Sequence, residues 1–406
     1  MKREPSGGRW SFFIDRGGTF TDCIGREPGT GRLFAIKVLS GELSPVLGIR
    51  TLLGLAAHEP VAPCDVRLGT TLATNALLER RGEPCALVIT RGFADLLEIG
   101  TQARPHLFDL EIKKPRPLPT IVIETDARCD AAGAVLEEVD VEAVRAALAQ
   151  AHARGVASVA VVVHNDYRTG SLEKRVAEIA RSLGFYHVIA SHEAAPEIGL
   201  LARADTTVLD AYVTPVLARS VRALAEALPG ASLRLLTSSG ALVDGGRFRG
   251  PEAVLSGPAG GVVAVAALAN AYRLASVIGF DMGGTSTDVC RFAGRFERVY
   301  EGEVAGVRVR APRMDVHTVA AGGGSYCVFD GLRAREGPES AGANPGPLCY
   351  GRAEATTLTL TDVDLALGRL VGDRFPIPLE DARVSAALRA VEARMAQATG
   401  VRRSLD

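Results

Sequence analysis

The chain has 406 residues, which is enough for two to three domains and for a large buried core. Hydrophobic residues make up 47% and charged residues 23% of it, so its composition excludes a disordered or fibrous protein. The net charge is −1 and aromatic residues make up only 5%, which argues against a nucleic-acid surface and a stacking platform for single strands.

The cysteines and the apolar stretches predict a cytoplasmic protein. The seven cysteines are odd in number, widely spread and without a C-x-x-C pair, so neither a disulfide framework nor a zinc cluster is expected. Residues 1–11 are polar, and we expect no signal peptide. The longest apolar stretches, such as residues 156–163, are far shorter than the ~20 residues that cross a membrane.

Apolar runs alternate with helical patterns along the chain. The predicted strands lie at residues 12–14, 86–89, 157–163, 277–280 and 357–360. The predicted helices lie at residues 71–81, 141–153, 172–183, 216–227, 259–271 and 379–398. This alternation predicts an α/β architecture with mainly parallel sheets.

One internal repeat dominates the sequence. Residues 15–22 read D-R-G-G-T-F-T-D and residues 281–288 read D-M-G-G-T-S-T-D, so six of eight positions are identical. Each copy follows an apolar strand, and the spacing is too long for a solenoid unit. The repeat therefore predicts two similar α/β halves that face each other, each contributing one loop to a shared cleft.

The repeated loop suits a phosphate group. Paired glycines let backbone N–H groups approach an anion closely, and the threonines add hydroxyl donors. The predicted cofactor-binding residues of the two loops are Gly17, Gly18, Thr19, Thr21, Gly283, Gly284, Thr285 and Thr287. A single copy would equally fit a glycine-rich hairpin turn capped by aspartate, but two copies in the same strand context favour phosphate binding.

The aspartates of the loops are the candidate catalytic carboxylates. Asp15 and Asp281 follow strands directly and are predicted to hold Mg²⁺ through water. Asp288 is the third candidate, and the choice of general base among the carboxylates stays open.

Three further segments carry two interpretations each. Gly322, Gly323 and Gly324 have no side chains, which favours close approach of a ligand over packing, so they are also predicted to bind the cofactor. Residues 256–261, S-G-P-A-G-G, precede a helix and favour tight helix packing over nucleotide contact. Asp315 and His317 suggest a site only weakly, and a structural role is favoured.

Four residues are candidate substrate ligands. Thr70 or Thr71 serves either as a helix N-cap or, with Asn75, at a helix start whose N–H groups hold a substrate carboxylate. Arg104 pairs either with a substrate carboxylate or with a surface acid such as Asp109.

The chain resembles the hydantoinase A and 5-oxoprolinase family, within the actin, sugar-kinase and heat-shock-chaperone ATPase superfold. The segments that carry this resemblance are F-F-I-D-R-G-G-T-F-T-D (12–22), R-L-G-T-T-L-A-T-N-A-L-L-E-R (67–80), I-G-T-Q-A-R (99–104), L-S-G-P-A-G-G-V-V (255–263), I-G-F-D-M-G-G-T-S-T-D-V (278–289), T-V-A-A-G-G-G-S (318–325), G-P-E-S-A-G-A-N-P-G-P-L-C-Y (337–350) and L-T-D-V-D-L-A-L-G-R-L (360–370). Residues 99–104 are closer to oxoprolinases than to stand-alone hydantoinase subunits.

The resemblance implies a duplicated actin-like, ribonuclease H-like α/β fold of two facing halves, the second of them truncated. It implies an N-terminal hydantoinase/oxoprolinase domain at residues 1–200, a hydantoinase A-type domain at 201–380 and a C-terminal helix and tail at 381–406. The implied cofactors are ATP and Mg²⁺. The implied reaction is ATP-dependent opening of 5-oxo-L-proline to L-glutamate, through phosphorylation of the amide oxygen.

Members of this family continue well beyond the position of Asp406, so we expect a hydantoinase B-type subunit or a missing C-terminal half to complete the enzyme. One alternative is a hydantoinase subunit that acts with a B-type partner on a hydantoin or another small cyclic amide. The other is a nucleotide-dependent switch subunit without lactam chemistry, since the fold alone does not fix the function. A sugar or acetate kinase is disfavoured by the extent of the family match.

Overall fold

The computed structural model describes residues 8–56, 58–104, 107–112, 114–342, 344–372, 375 and 377–401. Residues 1–7, on which most of the signal-peptide prediction rests, therefore lie outside the described residues. The tail at 402–406 also lies outside them. The helices are α1 (Ser44–Leu53), α2 (Leu72–Leu78), α3 (Leu96–Ile99), α4 (Val141–Ala153), α5 (Ser171–Ser182), α6 (Ser191–Ala194), α7 (Leu200–Ala227), α8 (Gly250–Ala253), α9 (Ser256–Ala271), α10 (Leu360–Ala366) and α11 (Asp381–Thr399).

The strands are short and distributed along most of the chain. In chain order they are β1 (Ser11–Arg16), β2 (Phe20–Arg26), β3 (Leu33–Leu39), β4 (Asp65–Thr70), β5 (Cys85–Thr90), β6 (Ile121–Thr125), β7 (Arg128–Cys129), β8 (Val135–Glu137), β9 (Ser158–Val162), β10 (His187–Ala190), β11 (Ser232–Leu236), β12 (Leu242–Asp244), β13 (Val277–Met282), β14 (Thr287–Phe292), β15 (Arg298–Val304), β16 (Val307–Met314), β17 (His317–Val319), β18 (Ser325–Phe329) and β19 (Ala334–Ser340).

The chain divides into two compact units. The first consists of Met1–Leu68, Gly257–Glu297 and Asp315–Asp406, and the second of Gly69–Ser256 and Arg298–Met314. Both copies of the repeated loop belong to the first unit. The domain boundaries at residues 200 and 380 divide the sequence differently and stay predictions.

The first unit is built from hairpins. Strands β1, β2 and β3 form an antiparallel meander, with β4 beside β1, and β13, β14 and β17 form a second antiparallel sheet. The prediction of mainly parallel sheets is wrong here, because strands joined by a turn of a few residues can pair only in opposite directions.

The second unit contains the parallel sheet that the alternation predicts. Its strand order is β10-β9-β5-β6, and all three pairings are parallel. Every residue of β5 is buried, as expected for a strand covered on both faces. Helices α4 and α5 contribute Leu148 and Val176 to the core beside it.

Helix α7 begins sixteen residues before the predicted start at residue 216, because Pro215 lies inside the helix instead of preceding it. A proline has no N–H group and leaves the carbonyl four residues earlier without its helical partner. Here that carbonyl belongs to Ala211, and it accepts a hydrogen bond of 2.7 Å from Ser158 Oγ on β9. The distant serine therefore compensates for the lost bond.

The predicted strand at residues 357–360 is wrong. Helix α10 begins there instead, with Thr359 as its N-cap in a capping box completed by Asp362. The Asp362 carboxylate is fully buried and also accepts hydrogen bonds from the N–H groups of Leu348 (3.1 Å) and Cys349 (2.8 Å). One carboxylate thus joins a loop to the start of the helix.

The two copies of the repeat differ in how their first strands are covered. In β1 the side chains of Phe12 and Ile14 are 0% and 4% exposed, whereas Ile278 and Phe280 at the equivalent positions of β13 are 73% and 70% exposed. Strand β4 lies beside β1, and β13 has no second neighbour in its sheet within the described part of the chain. An apolar strand face therefore meets solvent in the second copy.

None of the helices in the described ranges is both long enough and apolar enough to cross a membrane.

We predict that Asp362→Ala lowers the free energy of unfolding by about 3 kcal/mol or more, because it leaves several buried N–H groups without an acceptor. Asp364→Ala is the matched control on the same helix. It removes only a partly exposed pair with Arg369 and should cost less than about 1 kcal/mol. Urea denaturation of both variants checks this, and equal losses would contradict the role given to Asp362.

Candidate functional site

The two repeated loops form the same turn. Gly17 N donates to Phe20 O at 3.0 Å, and Gly283 N donates to Ser286 O at 2.9 Å, at equivalent positions of the two copies. In each copy the first and last aspartates of the motif are paired across the hairpin, Asp15 with Asp22 and Asp281 with Asp288. The sequence identity of the repeat thus reflects an identical local backbone arrangement.

The second threonine of each motif, Thr21 or Thr287, is buried and forms hydrogen bonds with the protein. Thr21 is fully buried, and its hydroxyl lies 2.7 Å from Ser44 Oγ and 3.0 Å from Ser40 Oγ. Thr287 is 5% exposed and donates to Ala321 O at 2.6 Å. The prediction that Thr21 and Thr287 contact phosphate is corrected accordingly, because their hydroxyls are shielded from solvent and bonded to the protein.

The remaining loop residues are accessible. Gly18, Gly284 and Thr285 are exposed, and Gly17 and Thr19 are half-buried. The N–H groups of Gly18, Thr19 and Gly284 donate to no acceptor among the described hydrogen bonds. The loops also lie close together, since a Cβ atom at Gly284 would be 3.8 Å from Thr19 Oγ1. This side of the unit therefore offers unused donors from both copies.

The glycine run at 322–324 packs against the second loop. Gly323 N donates to Gly283 O (2.9 Å) and Gly324 N to Gly284 O (2.6 Å). A Cβ atom at Gly322 would come within 2.7 Å of Thr285 N, closer than real Cβ contacts. The close approach predicted for a ligand is therefore made by the protein's own backbone, and Gly322 and Gly324 are buried beneath it.

Carboxylates crowd around these turns. Asp15 is accessible to water, yet the protein packed around it removes hydration and raises its pKa to about 6, with further increases from Asp22 and Asp281. Lys37, which pairs with Asp22 at 2.6 Å, acts in the opposite direction. The electrostatic influence of Asp281 on Asp15 places the leading aspartates of both copies at one site.

The fourth carboxylate is restrained by a hydroxyl. Burial raises the pKa of Asp288 and the charge of Asp281 adds to this, while a hydrogen bond of 2.6 Å from Thr318 Oγ1 opposes the increase. The site therefore concentrates negative charge that the surrounding groups offset only in part.

Helix α9 lies beside the second turn. Its residues Gly261, Val262 and Val265 line a small cavity of about 160 Å³ together with Asp281 and Asp288. A Cβ atom at Gly261 would be 4.0 Å from Asp281 Oδ2. The cavity is smaller than the usual range for ligand pockets, so the small residues of this segment serve packing near the carboxylates.

The predicted substrate ligands all belong to the second unit. Thr70 is buried, and its Oγ1 accepts from Leu72 N at 3.2 Å. Thr71 is the N-cap of α2 but makes no side-chain capping bond, and Asn75 Nδ2 lies 3.5 Å from its hydroxyl. Arg104 is exposed and donates to Leu107 O at 3.1 Å. Substrate contact by these four residues stays a prediction.

Two residues of the site escaped sequence reasoning. Asp22 occupies the position of Asp288 in the first copy, and the repeat itself contains the signal that would have identified it. Lys37 lies on β3, next to Asp22 across the hairpin pairing, and only the register of β2 and β3 reveals it.

Two family models match the chain over almost all of its length. The model described as "Hydantoinase/oxoprolinase N-terminal region" matches residues 11–184, and the model described as "Hydantoinase/oxoprolinase" matches residues 203–402. The chain belongs to the hydantoinase/oxoprolinase family. The resemblance recognised from the motifs is thereby confirmed.

Curated relatives of the chain are considerably longer than it is. The 5-oxoprolinase of Saccharomyces cerevisiae is 40% identical over 412 residues, which cover 89% of this chain and 32% of the relative. The caprolactamase subunit alpha of Pseudomonas jessenii is 34% identical over 96% of this chain and 58% of that subunit. The chain thus spans between about a third and three fifths of the length of these relatives.

Solved structures confirm the mixed α/β fold of this family. The ATP-dependent caprolactamase of Pseudomonas jessenii superimposes with a TM-score of 0.72 at 31% identity, covering 96% of this chain and 62% of that one. A nucleotide-free acetone carboxylase gives a TM-score of 0.79 at 23% identity, covering 96% and 59%, and shows the fold alone.

We predict that the raised pKa of Asp15 makes stability fall as the pH rises. The folded state holds the proton up to about pH 6, whereas an unfolded aspartate releases it near 3.8, so stability is lost over this interval. Asp15→Asn cannot ionise, so it should gain stability relative to wild type between these pH values and keep the gain above them. Chemical denaturation from pH 4 to pH 8 measures this.

Glu354→Gln is the control for this titration, because Glu354 is an exposed carboxylate of the same unit. A parallel pH profile for Asp15→Asn and wild type would show that Asp15 ionises like any surface carboxylate.

Proposed function

We propose that the paired turns of the first unit bind the phosphates of ATP, and that the chain is the ATP-using part of an enzyme that hydrolyses a small cyclic amide. 5-Oxo-L-proline is the substrate we favour, because the similarity to a protein named 5-oxoprolinase reaches 40% identity. An ATP-dependent caprolactamase among the structural neighbours supports the use of ATP and the same class of bond.

The observation that carries this proposal is the duplicated turn. Both copies direct an aspartate to the same site, and both leave backbone N–H groups without an internal acceptor. Such groups of donors are what a phosphate oxygen requires. Two adjacent loops of this kind contact a polyphosphate from two sides, which a single glycine-rich turn does not.

The carboxylates suit a hydrated divalent cation. The described part of the chain contains no group of three or more His, Cys, Asp or Glu side chains arranged to ligate a metal by themselves. Asp15 and Asp281 would therefore hold Mg²⁺ through its water molecules, consistent with the preference of this ion for carboxylate and water oxygens. Bound there, the ion would neutralise charge on the phosphates and on the crowded aspartates.

ATP explains how an unreactive amide can be opened. The γ-phosphoryl group passes from ATP to the amide oxygen and ADP leaves, which makes the ring carbon electrophilic. Water adds to that carbon, the carbon–nitrogen bond breaks, and the ring nitrogen takes the proton. A second water releases phosphate, so one lactam, one ATP and two waters give the amino acid, ADP and phosphate.

The chain's residues have distinct parts in this scheme. N–H groups of Gly18, Thr19 and Gly284 and the hydroxyl of Thr285 would orient the phosphates, since phosphoryl transfer depends mainly on positioning and on neutralising charge. We assign to Asp288, which accepts a hydrogen bond from Thr318, the role of orienting a water at the second turn.

We further propose that activity requires a polypeptide beyond this chain, either a hydantoinase B-type subunit or the region that follows in longer relatives. The length of the relatives supports this, and so does the exposed apolar face of β13, whose equivalent in β1 is covered. That strand contains Asp281, so a polypeptide that covers it would lie beside the proposed site.

Thr285→Val is expected to weaken Mg-ATP binding about 10-fold while leaving stability within about 0.5 kcal/mol, because the hydroxyl is exposed and the replacement nearly isosteric. Calorimetric titration with Mg-ATP and thermal unfolding measure the two effects. Thr356→Val, at an exposed position of the same unit, is the control. Unchanged affinity in Thr285→Val would remove the second turn from the proposed site.

Release of phosphate and glutamate should be stimulated by 5-oxoproline only when a hydantoinase B-type polypeptide is present. Misplacement of reacting groups by about 1 Å costs ~100-fold in rate, so the chain alone should be close to inactive. Glutamate release by the isolated chain would show that it needs no partner. Binding of ATP without any response to lactams in either preparation would favour a nucleotide-dependent switch.

A further inference from the structure

The second unit contains a larger cavity, separate in sequence from the phosphate loops. Its volume is about 860 Å³, and its lining comes from α6, α7, α8 and the β11–β12 hairpin with the turn that follows. This volume lies within the range of small-molecule sites. We call it the arginine pocket, after Arg234, Arg247 and Arg249, which line it together with Asp210.

Asp210 is the deeply buried charge of the arginine pocket. Its side chain is 1% exposed, and its Oδ1 atom accepts from Thr214 Oγ1 at 2.7 Å and lies 2.9 Å from His187 Nε2. Thr214 in turn accepts from Gly250 N at 2.8 Å, which fixes the carboxylate against the start of α8. The Oδ1 atom of Asp210 is thus hydrogen-bonded directly to residues of α7 and β10, and through Thr214 it is linked to α8.

The other oxygen of Asp210, Oδ2, accepts none of the hydrogen bonds among the described residues. A carboxylate offers about four acceptor positions, so Oδ2 can accept hydrogen bonds that the described residues do not supply. Because Asp210 lines the cavity, Oδ2 is the atom available to a donor group that enters it. A bound N–H group would supply that donor.

The three arginines provide the opposite charge. Their side chains are exposed, and within the described residues no hydrogen bond or ion pair engages their guanidinium groups. Burial raises the pKa of Glu252 and the charge of Asp210 adds to the increase, while Arg249 and Arg247 oppose it, so these charges act on one another. Glu193, Asp244 and Glu252 also line the cavity. This mixed lining favours a ligand with both an anionic group and a hydrogen-bond donor over a simple anion.

We propose that the arginine pocket binds a small molecule in which a carboxylate lies close to an N–H donor. The carboxylate pairs with an arginine of the rim, as guanidinium groups do with planar oxyanions, and the N–H donates to Asp210 Oδ2. Both a lactam carboxylate and an α-amino acid have this chemistry, which is that of the substrate and the product of the proposed reaction. The inference rests on the proposed function only for this choice of probes.

Calorimetric titration of the full chain with 5-oxo-L-proline, L-glutamate and 2-pyrrolidone tests the proposal. 2-Pyrrolidone has the lactam N–H but no carboxylate. Wild type should bind at least one of the two carboxylates and bind 2-pyrrolidone about 10-fold more weakly or worse. The stronger of the first two ligands identifies the pocket as a substrate site or a product site.

Arg249→Gln should weaken binding of the carboxylate ligand about 10-fold and leave 2-pyrrolidone unaffected, whereas Arg154→Gln, at an exposed position of the same unit, should change neither. Asp210→Asn should weaken all of these ligands. Because that variant removes a buried charge, its fold is checked by thermal unfolding, and the arginine variants carry the test if it unfolds.

Failure of wild type to bind either carboxylate, or binding by Arg234→Gln, Arg247→Gln and Arg249→Gln that each equals binding by Arg154→Gln, would overturn the proposal. Mg-ATP is titrated into the same samples. In wild type, Mg-ATP binding without binding of either carboxylate would refute the arginine pocket alone, and carboxylate binding without Mg-ATP binding would refute the phosphate site alone.

Discussion

Crowding of carboxylates at two adjacent turns is the constraint on which the first unit depends. Asp15, Asp22, Asp281 and Asp288 lie around the two turns. Burial raises the pKa of Asp15, and the charges of Asp22 and Asp281 raise it further. A protein tolerates such repulsion where function requires it, and perturbed carboxylates are common at functional sites. Lys37 and the Thr318 hydroxyl moderate the repulsion without removing it.

The polar groups beneath the turns hold them in place while leaving their outer surface free. The buried Thr21 and Thr287 hydroxyls bond inward to serine oxygen and backbone carbonyl, respectively. The glycine run at 322–324 bonds to the carbonyls of the second turn, which leaves the outward N–H groups unengaged. Turns that are held by inward hydrogen bonds and that keep outward N–H groups available can bind an anion with little reorganisation.

Local patterns were sufficient to locate the turns, the flanking strands and the helix at residues 141–153, because each depends on residues close in sequence. Two of the errors came from distant partners. Continuation of α7 through Pro215 depends on Ser158, 53 positions from the carbonyl that it satisfies. Thr21 and Thr287 share a motif with Thr19 and Thr285, and only the packing of the hairpins decides which of them point inward.

The glycine run at 322–324 illustrates the same limit. Absence of side chains signals that something comes close, but the sequence does not say whether that neighbour is a ligand or another part of the backbone. Here the neighbour is the turn at Gly283 and Gly284.

The uncovered strand β13 is an aggregation hazard while the protein is being synthesised and assembled. An apolar edge strand is a template for pairing with other chains, and the hazard lasts for as long as the face remains open during synthesis and assembly. In many proteins a charged residue on such an edge strand prevents it from pairing with another chain. Phe280 immediately precedes Asp281, so a carboxylate introduced there would add to the crowding at the turns. Because Asp281 belongs to the proposed phosphate site, a charged residue at position 280 would disturb that site, so protecting this strand with a neighbouring charge carries a functional cost.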